Sequence, residues 1–187
     1  MRGLPNLLSG LRIAAAPVLL SLAFAGRREA FLWVLAGSLA TDALDGLAAR
    51  ALDARSELGR RLDSWGDYAT ALAVLPGVWL LWPDVVRREW PWIAVGLASF
   101  FAPVAIGLVR WGRPPGYHTA ASKVLAVAMA PATFLLLLGY TPWPFRVGMA
   151  LQVAVFAEEL AILRLLPGYS GSVSGLREAR RLAGKTR

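Results

Sequence analysis

Long hydrophobic runs separated by short polar breaks are the dominant pattern along this chain. Six runs are long enough to cross the hydrocarbon core of a bilayer, which takes about 20 residues of helix. They cover residues 4–25, 30–51, 62–81, 90–109, 119–140 and 144–165. The breaks hold the arginine, proline and glycine residues that interrupt or end helices. The pattern predicts an all-α, polytopic membrane protein with six transmembrane helices.

The composition agrees with this fold class. The chain is 57% hydrophobic and 17% charged, whereas about a quarter of the residues in a soluble domain are charged. The last apolar run ends near residue 165, and a polar, basic segment follows it. We therefore predict a six-helix transmembrane domain over residues 1–169 and a basic cytoplasmic tail over residues 170–187.

The distribution of charge predicts the orientation of the chain. An even number of spans puts both termini on one side, and 15 of the 20 basic residues fall on that side. The positive-inside rule makes it the cytoplasm. Six tryptophans lie near the opposite interface, where their amphipathic rings are stable: Trp33, Trp79, Trp82, Trp90, Trp92 and Trp143. The net charge of +8 therefore indicates membrane topology and anionic lipid as a partner, with no nucleic acid.

The tail has two readings. It could form a short helix over residues 173–182 along an anionic leaflet, or it could be a solvated chain end, as is common at termini.

Four aspartates at membrane depth are the candidate chemical site: Asp42, Asp45, Asp63 and Asp67. An unpaired carboxylate at a helix centre costs about 2.5 to 3.5 kcal/mol on insertion scales, so bound cations are the expected compensation. Residues three or four apart share a helix face, and a short turn makes the two helices antiparallel neighbours. The chain has no cysteine and one histidine, His118. Oxygen ligands therefore remain, which favour two divalent cations, Mg²⁺ or Mn²⁺.

The aspartates belong to a longer motif, D42-x2-D45-G46-x2-A49-R50-x8-G59-x3-D63-x3-D67. This block resembles the signature of the CDP-alcohol phosphotransferase family, also called CDP-alcohol phosphatidyltransferases, and fills each signature position. The segment P5-N6-L7-L8-S9-G10-L11-R12 is similar to the family's opening, with serine in place of threonine. The resemblance covers nearly the whole chain and is weaker after the third span.

The resemblance implies a phospholipid-synthesis enzyme of the cytoplasmic membrane. Such an enzyme transfers a substituted phosphoryl group from a CDP-linked lipid, usually CDP-diacylglycerol, to an alcohol and releases CMP. It implies that Asp42, Asp45 and Asp63 are chiefly metal ligands, and that Asp67 is both a ligand and the general base. The positions of Asp42 and Asp63 predict a site that opens to the cytoplasm. The resemblance also implies a homodimer.

Further residues are candidates for the two substrates. Those for the CDP-linked lipid are Asn6, Ser9, Gly46, Ala49, Arg50, Ser56 and Gly59. Those for the acceptor are Arg110, Arg113 and Lys123. Small residues also serve tight helix packing in membranes, and basic residues near span ends also serve as interfacial anchors. Both alternatives stay open.

Two other functions bind cations through buried carboxylates. A membrane cation transporter or channel does so, but it has no need for the glycines, alanine and arginine of the motif. An intramembrane prenyltransferase binds diphosphate through aspartates and Mg²⁺, with a different aspartate spacing. The acceptor alcohol stays open, because Ser64 and Tyr68 replace the proline and lysine typical of family members that act on glycerol phosphate.

Overall fold

The computed structural model describes residues 3–51, 69–70, 72–112, 116–117, 119–166, 168 and 172–185. Over these residues the chain is helical, apart from one two-residue strand pair. The helices are α1 (Gly3–Phe24), α2 (Arg28–Ala51), α3 (Leu72–Leu81), α4 (Pro83–Trp111), α5 (Ala120–Leu137), α6 (Trp143–Leu165) and α7 (Leu176–Lys185), and the strands are β1 (Gly116–Tyr117) and β2 (Ser172–Val173). The predicted helical class is confirmed for this part of the chain.

One helix in the described ranges, α4, is both long enough and apolar enough to cross a membrane. The apolar stretches Ile13–Phe24, Leu72–Leu81 and Ala121–Leu137 are shorter. Large apolar side chains are exposed on several helices, among them Leu72, Val109 and Val127. Such surfaces suit a lipid environment, and the count of six spans stays a prediction.

Helix α4 begins at Pro83, seven residues before the start predicted from the hydrophobic run. Proline is compatible with the first turn of a helix, because the N–H that it lacks would have no partner within the helix there. Asp84 also lies in this first turn, where a carboxylate interacts favourably with the helix dipole. The polar segment that the sequence suggested as a break is therefore the first part of the helix.

The chain divides into two compact units, Met1–Val86 and Arg87–Arg187. In the first unit, α1 and α2 are neighbours, and the turn between them is made at Gly26, which has φ of 69°. A positive φ favours glycine because it has no Cβ. The backbone N–H of Arg27 donates to the carbonyl of Leu22 at 2.9 Å, which closes the end of α1.

Phe31 of α2 is the centre of packing in the first unit. Its side chain is fully buried, and its ring centroid lies 5.9 Å from that of Trp82. A Cβ added at Gly77 of α3 would lie 2.5 Å from Phe31 Cε2, so only glycine lets the ring approach this closely. One side of α2 therefore faces α3.

In the second unit, methionine side chains pack against glycines of neighbouring helices. Met149 of α6 lies against Gly96 of α4, and Met129 of α5 lies against Gly148 of α6, each where a glycine Cβ would be. Small residues allow close helix approach, which is the main source of packing stability between membrane helices.

An ion pair joins the beginnings of α4 and α6. The Glu89 side chain is fully buried, and it accepts from Arg146 Nε at 2.8 Å and Arg146 Nη2 at 2.9 Å. Arg88 Nε adds a third donor at 2.8 Å. Arg146 also lies over the Trp143 ring, 5.5 Å from its centroid.

The last elements of the second unit form a small substructure at the end of α6. Strands β1 and β2 pair in parallel, with Gly116 opposite Ser172 and Tyr117 opposite Val173. Helix α7 packs on α6. The predicted tail helix over residues 173–182 lies at 176–185 in the structure, because the first residues of that range form β2 and the turn before α7.

Candidate functional site

The buried face of α2 leads directly to the first two aspartates. Phe31, Leu35 and Ser38 are buried, and their spacing of four and three residues defines one face of a helix. Helix α2 continues without a break to Ala51. At about 100° per residue, positions 42 and 45 fall on the same face as these three residues. Positions 42 and 45, which hold Asp42 and Asp45, therefore continue the helical register of these three buried residues.

The other motif residues on α2 surround this face. Position 49 lies on it, position 46 lies at its edge, and position 50 lies further around the helix, by the same helical geometry. These positions hold Ala49, Gly46 and Arg50, respectively. Their predicted part in substrate access stays a prediction.

The remaining motif residues cannot be compared in this way. Five of the candidate residues lie outside the described residues: Asp63, Asp67, Ser56, Gly59 and Arg113. The convergence of the two aspartate pairs therefore stays a prediction.

Helix α1 brings a second set of candidates into the first unit. Asn6 and Ser9 lie in its first turns. Its buried residues are Ala16, Leu19 and Ala23. Position 9 precedes position 16 by seven residues, which is close to two full turns, so the two positions share one helical register.

Ser38 is a polar residue of this region that the sequence pattern did not single out. Its side chain is 5% exposed, and its Oγ makes no hydrogen bond to the protein in the described structure. It precedes Asp42 by four residues on the same face of α2. The four-residue spacing between Ser38 and Asp42 could have indicated this serine from the sequence. It did not stand out, because a lone serine in an apolar run is common between membrane helices.

The donor set suits hard divalent cations, because it consists of carboxylates. Asp42 and Asp45 lie three residues apart on one face, so both can serve a single site. The other two predicted ligands are not among the described residues, and within the described part no group of three or more acidic, histidine or cysteine side chains is present. The metal site therefore stays a prediction.

Two acceptor candidates lie in the second unit. Arg110 Nη1 donates to the carbonyl of Leu163 at 2.7 Å, and Nη2 donates to that of Leu166 at 3.3 Å. The guanidinium therefore satisfies carbonyls at the end of α6, which otherwise have no partner within the helix. Lys123 lies in the first turn of α5 with an exposed side chain. Neither arrangement tests acceptor binding.

A helical chain with two acidic residues within an apolar helix is typical of membrane proteins that bind cations or charged substrates. Comparison with protein families is more specific. The CDP-alcohol phosphatidyltransferase model matches residues 2–163, and the chain belongs to this family. Neither the comparison with curated proteins nor that with solved structures gives a match.

Family membership has direct consequences. It implies transfer of a phosphatidyl group, which makes the chain a transferase of substituted phosphate groups in phospholipid biosynthesis. Proteins of this family are embedded in membranes, and they generally depend on divalent metals. They use CDP-alcohol substrates. The prediction from the aspartate motif is confirmed at the level of the family.

Proposed function

We propose that this protein transfers the phosphatidyl group of CDP-diacylglycerol to the hydroxyl of a small or lipid alcohol and releases CMP. The family match over residues 2–163 carries this proposal. The helical register that positions 42 and 45 share on α2 supports it. Neither a cation transporter nor a prenyltransferase accounts for the family match.

The proposed topology is the one predicted from the sequence. Six helices cross the cytoplasmic membrane with both termini in the cytoplasm, and the site opens to that side. Residues 1–169 form the catalytic domain and residues 170–187 a basic tail. The protein acts as a homodimer. The exposed apolar side chains of α3 to α6 support contact with lipid.

Asp42, Asp45, Asp63 and Asp67 would hold the two divalent cations. When bound, Mg²⁺ or Mn²⁺ neutralises the pyrophosphate of the donor and makes its phosphorus more electrophilic. Four carboxylates without cysteine or histidine favour these hard cations.

Asp67 is the proposed general base. Its carboxylate takes the proton of the acceptor hydroxyl as the oxygen attacks the phosphorus that carries diacylglycerol. The bond from this phosphorus to the oxygen of CMP then breaks, and CMP leaves with that electron pair. A base within reach of the nucleophile contributes about 10²- to 10⁴-fold to the rate.

The two substrates use different residues in this proposal. The donor contacts Asn6, Ser9, Gly46, Ala49, Arg50, Ser56 and Gly59. The guanidinium of Arg50 forms a paired hydrogen bond to phosphate, and the small residues leave room for the nucleotide. An anionic group on the acceptor would be bound by Arg110, Arg113 and Lys123.

CMP release by the purified protein tests the proposal. The protein is incubated with CDP-diacylglycerol, Mg²⁺ or Mn²⁺ and a panel of alcohols that includes serine, inositol phosphate, glycerol phosphate and phosphatidylglycerol. We expect release with one acceptor class, and a fall of about 10²- to 10⁴-fold in Asp67→Asn. Asp53→Asn is the matched control, because Asp53 lies between the two aspartate pairs at a position that the motif leaves variable, and it should keep full activity.

Two results would refute the assignment. One is the absence of CMP with every acceptor. The other is full activity of Asp67→Asn. That result would mean that the chain carries out the family reaction without Asp67 as its general base.

A further inference from the structure

Helix α7 carries a compact basic surface that the proposed reaction does not use. Arg177, Arg180 and Arg181 are exposed. At about 100° per residue, their positions span an arc of about 100° on one side of the helix. We call these three residues the α7 arginine face.

The opposite side of α7 is already covered by the protein. Ala179 is fully buried in a cluster with Ile162 and Leu163 of α6, and Leu176 and Leu182 pack against this cluster. An amphipathic helix binds a bilayer by inserting its apolar side. In α7 that side is occupied, so only the arginine face is available to a partner.

The beginning of α7 is held in place from both sides. Ser174 donates through its backbone N–H to the Glu178 carboxylate at 2.7 Å, and the Ser174 hydroxyl donates to it as well. Val173, which lies just before Ser174, is fully buried and pairs with Tyr117. The arginine face is therefore presented by a fixed helix.

The arginine face also lies close in the chain to α6, which the sequence predicts to be a membrane helix. Only ten residues separate the end of α6 at Leu165 from the start of α7 at Leu176, and α7 packs on the end of α6. Arg164, in the last turn of α6, is exposed as well. Basic residues next to a membrane helix attract anionic lipid headgroups.

We infer that the α7 arginine face binds the surface of the bilayer by collecting anionic lipid headgroups, without inserting apolar side chains. The occupant is the anionic bilayer, because the surface is basic, its apolar reverse side is covered, and α7 adjoins α6, a predicted membrane helix. This goes beyond the proposed reaction and requires only that α6 lies in the membrane.

Lipid enrichment around α7 can be measured in the full-length protein. The chain has no cysteine, and a Cβ at Gly184 meets nothing within 4 Å, so Gly184→Cys accepts a fluorophore. The labelled protein is placed in nanodiscs of phosphatidylcholine and phosphatidylglycerol in equal parts. Quenching by trace nitroxide-headgroup phosphatidylglycerol is compared with quenching by the matching phosphatidylcholine. The ratio of the two reports the local excess of anionic lipid.

We expect a ratio well above one, since each basic residue near the surface favours association by roughly fivefold. The ratio should fall towards one in Arg177→Gln/Arg180→Gln/Arg181→Gln and stay high when the same residues become lysine. It should also fall as salt rises from about 0.1 M to about 1 M, because the Debye length shrinks from about 10 to about 3 Å. Circular dichroism and thermal unfolding verify that the glutamine variant keeps its fold.

Several results would overturn the inference. They are a ratio of one in the parent protein, an unchanged ratio in the glutamine variant, or a response of the fluorophore at position 184 to inorganic pyrophosphate alone, which would make the surface a site for a soluble anion.

The test is independent of catalysis. Asp67→Asn should keep the ratio while it loses CMP release, and the glutamine variant should keep CMP release in neutral detergent.

Discussion

Replacing Arg146 by glutamine removes two of the three N–H donors that hold the Glu89 carboxylate. The side chain of Glu89 is 0% exposed, so water cannot replace the lost donors. The third donor, Arg88, has a side chain that is 56% exposed, and ion pairs made at the surface contribute about 0 to 1 kcal/mol. The carboxylate would therefore be buried with little compensation.

The size of the effect follows from this burial. Breaking a buried ion pair by removing one partner costs about 3 to 5 kcal/mol. Because Arg88 stays in place, we expect the lower end for the Glu89 carboxylate, about 3 kcal/mol, which is roughly 6 to 12 °C in Tm for a chain of this length. Thermal unfolding in detergent, followed by tryptophan fluorescence, measures it.

Two further variants separate loss of the pair from loss of packing. Arg88→Gln should change Tm little, because its side chain is largely exposed. The double variant Glu89→Leu/Arg146→Met replaces the pair by apolar side chains, and it should recover most of the loss, since such replacements are often neutral. If Arg146→Gln lowers Tm no more than Arg88→Gln does, the pair does not stabilise the second unit and the reasoning is wrong.

Two other predictions rest on described contacts. Gly148→Ala adds a Cβ that overlaps Met129 Sδ, and the low end of the usual overpacking cost, about 1 kcal/mol of unfolding free energy, applies because the methionine side chain is flexible. Helix propensity offsets part of this cost, as it does for Gly37→Ala, which lies in open space on α2. Gly37→Ala should therefore raise Tm slightly and Gly148→Ala should not, and equal shifts would contradict the packing argument. The Ser174 hydroxyl and N–H hold the pKa of Glu178 below its ordinary value of 4.5. Its contribution to α7 is therefore present above that value and is lost as the pH falls through the lowered pKa. Hydrogen exchange of the α7 amides should show this loss in the parent protein, whereas a Ser174→Ala variant with the same pH profile would refute it.

Much of the fold follows from the sequence because each helix is encoded by a local run of apolar residues. The starts of α2, α5 and α6 lie within two residues of those predicted from hydrophobicity. The break predicted before residue 90 was wrong, because Pro83 is compatible with a first helical turn. A hydrophobic run locates the apolar part of a helix and does not locate its polar ends.

The acidic motif was also readable from the sequence. Spacing alone placed Asp42 and Asp45 on one face of a helix, and the family match confirms what the motif resembled. The structure showed which side of α2 is buried, since Phe31, Leu35 and Ser38 have buried side chains. Ser38 was missed because its hydroxyl becomes notable only once its burial is known.

Only the tertiary structure decided which helix faces meet. Glu89 and Arg146 are 57 residues apart in the chain, and Arg110 is 53 residues from the carbonyl of Leu163 that it binds. The periodicity of a helix shows which side is apolar, but it carries no information about the residue on the neighbouring helix. From the sequence, Arg146 was therefore only one of the five basic residues that fall outside the cytoplasmic side, and Arg110 was only an acceptor candidate or an interfacial anchor. Packing of the helices in three dimensions supplied the buried carboxylate and the helix-end carbonyls that these arginines bind.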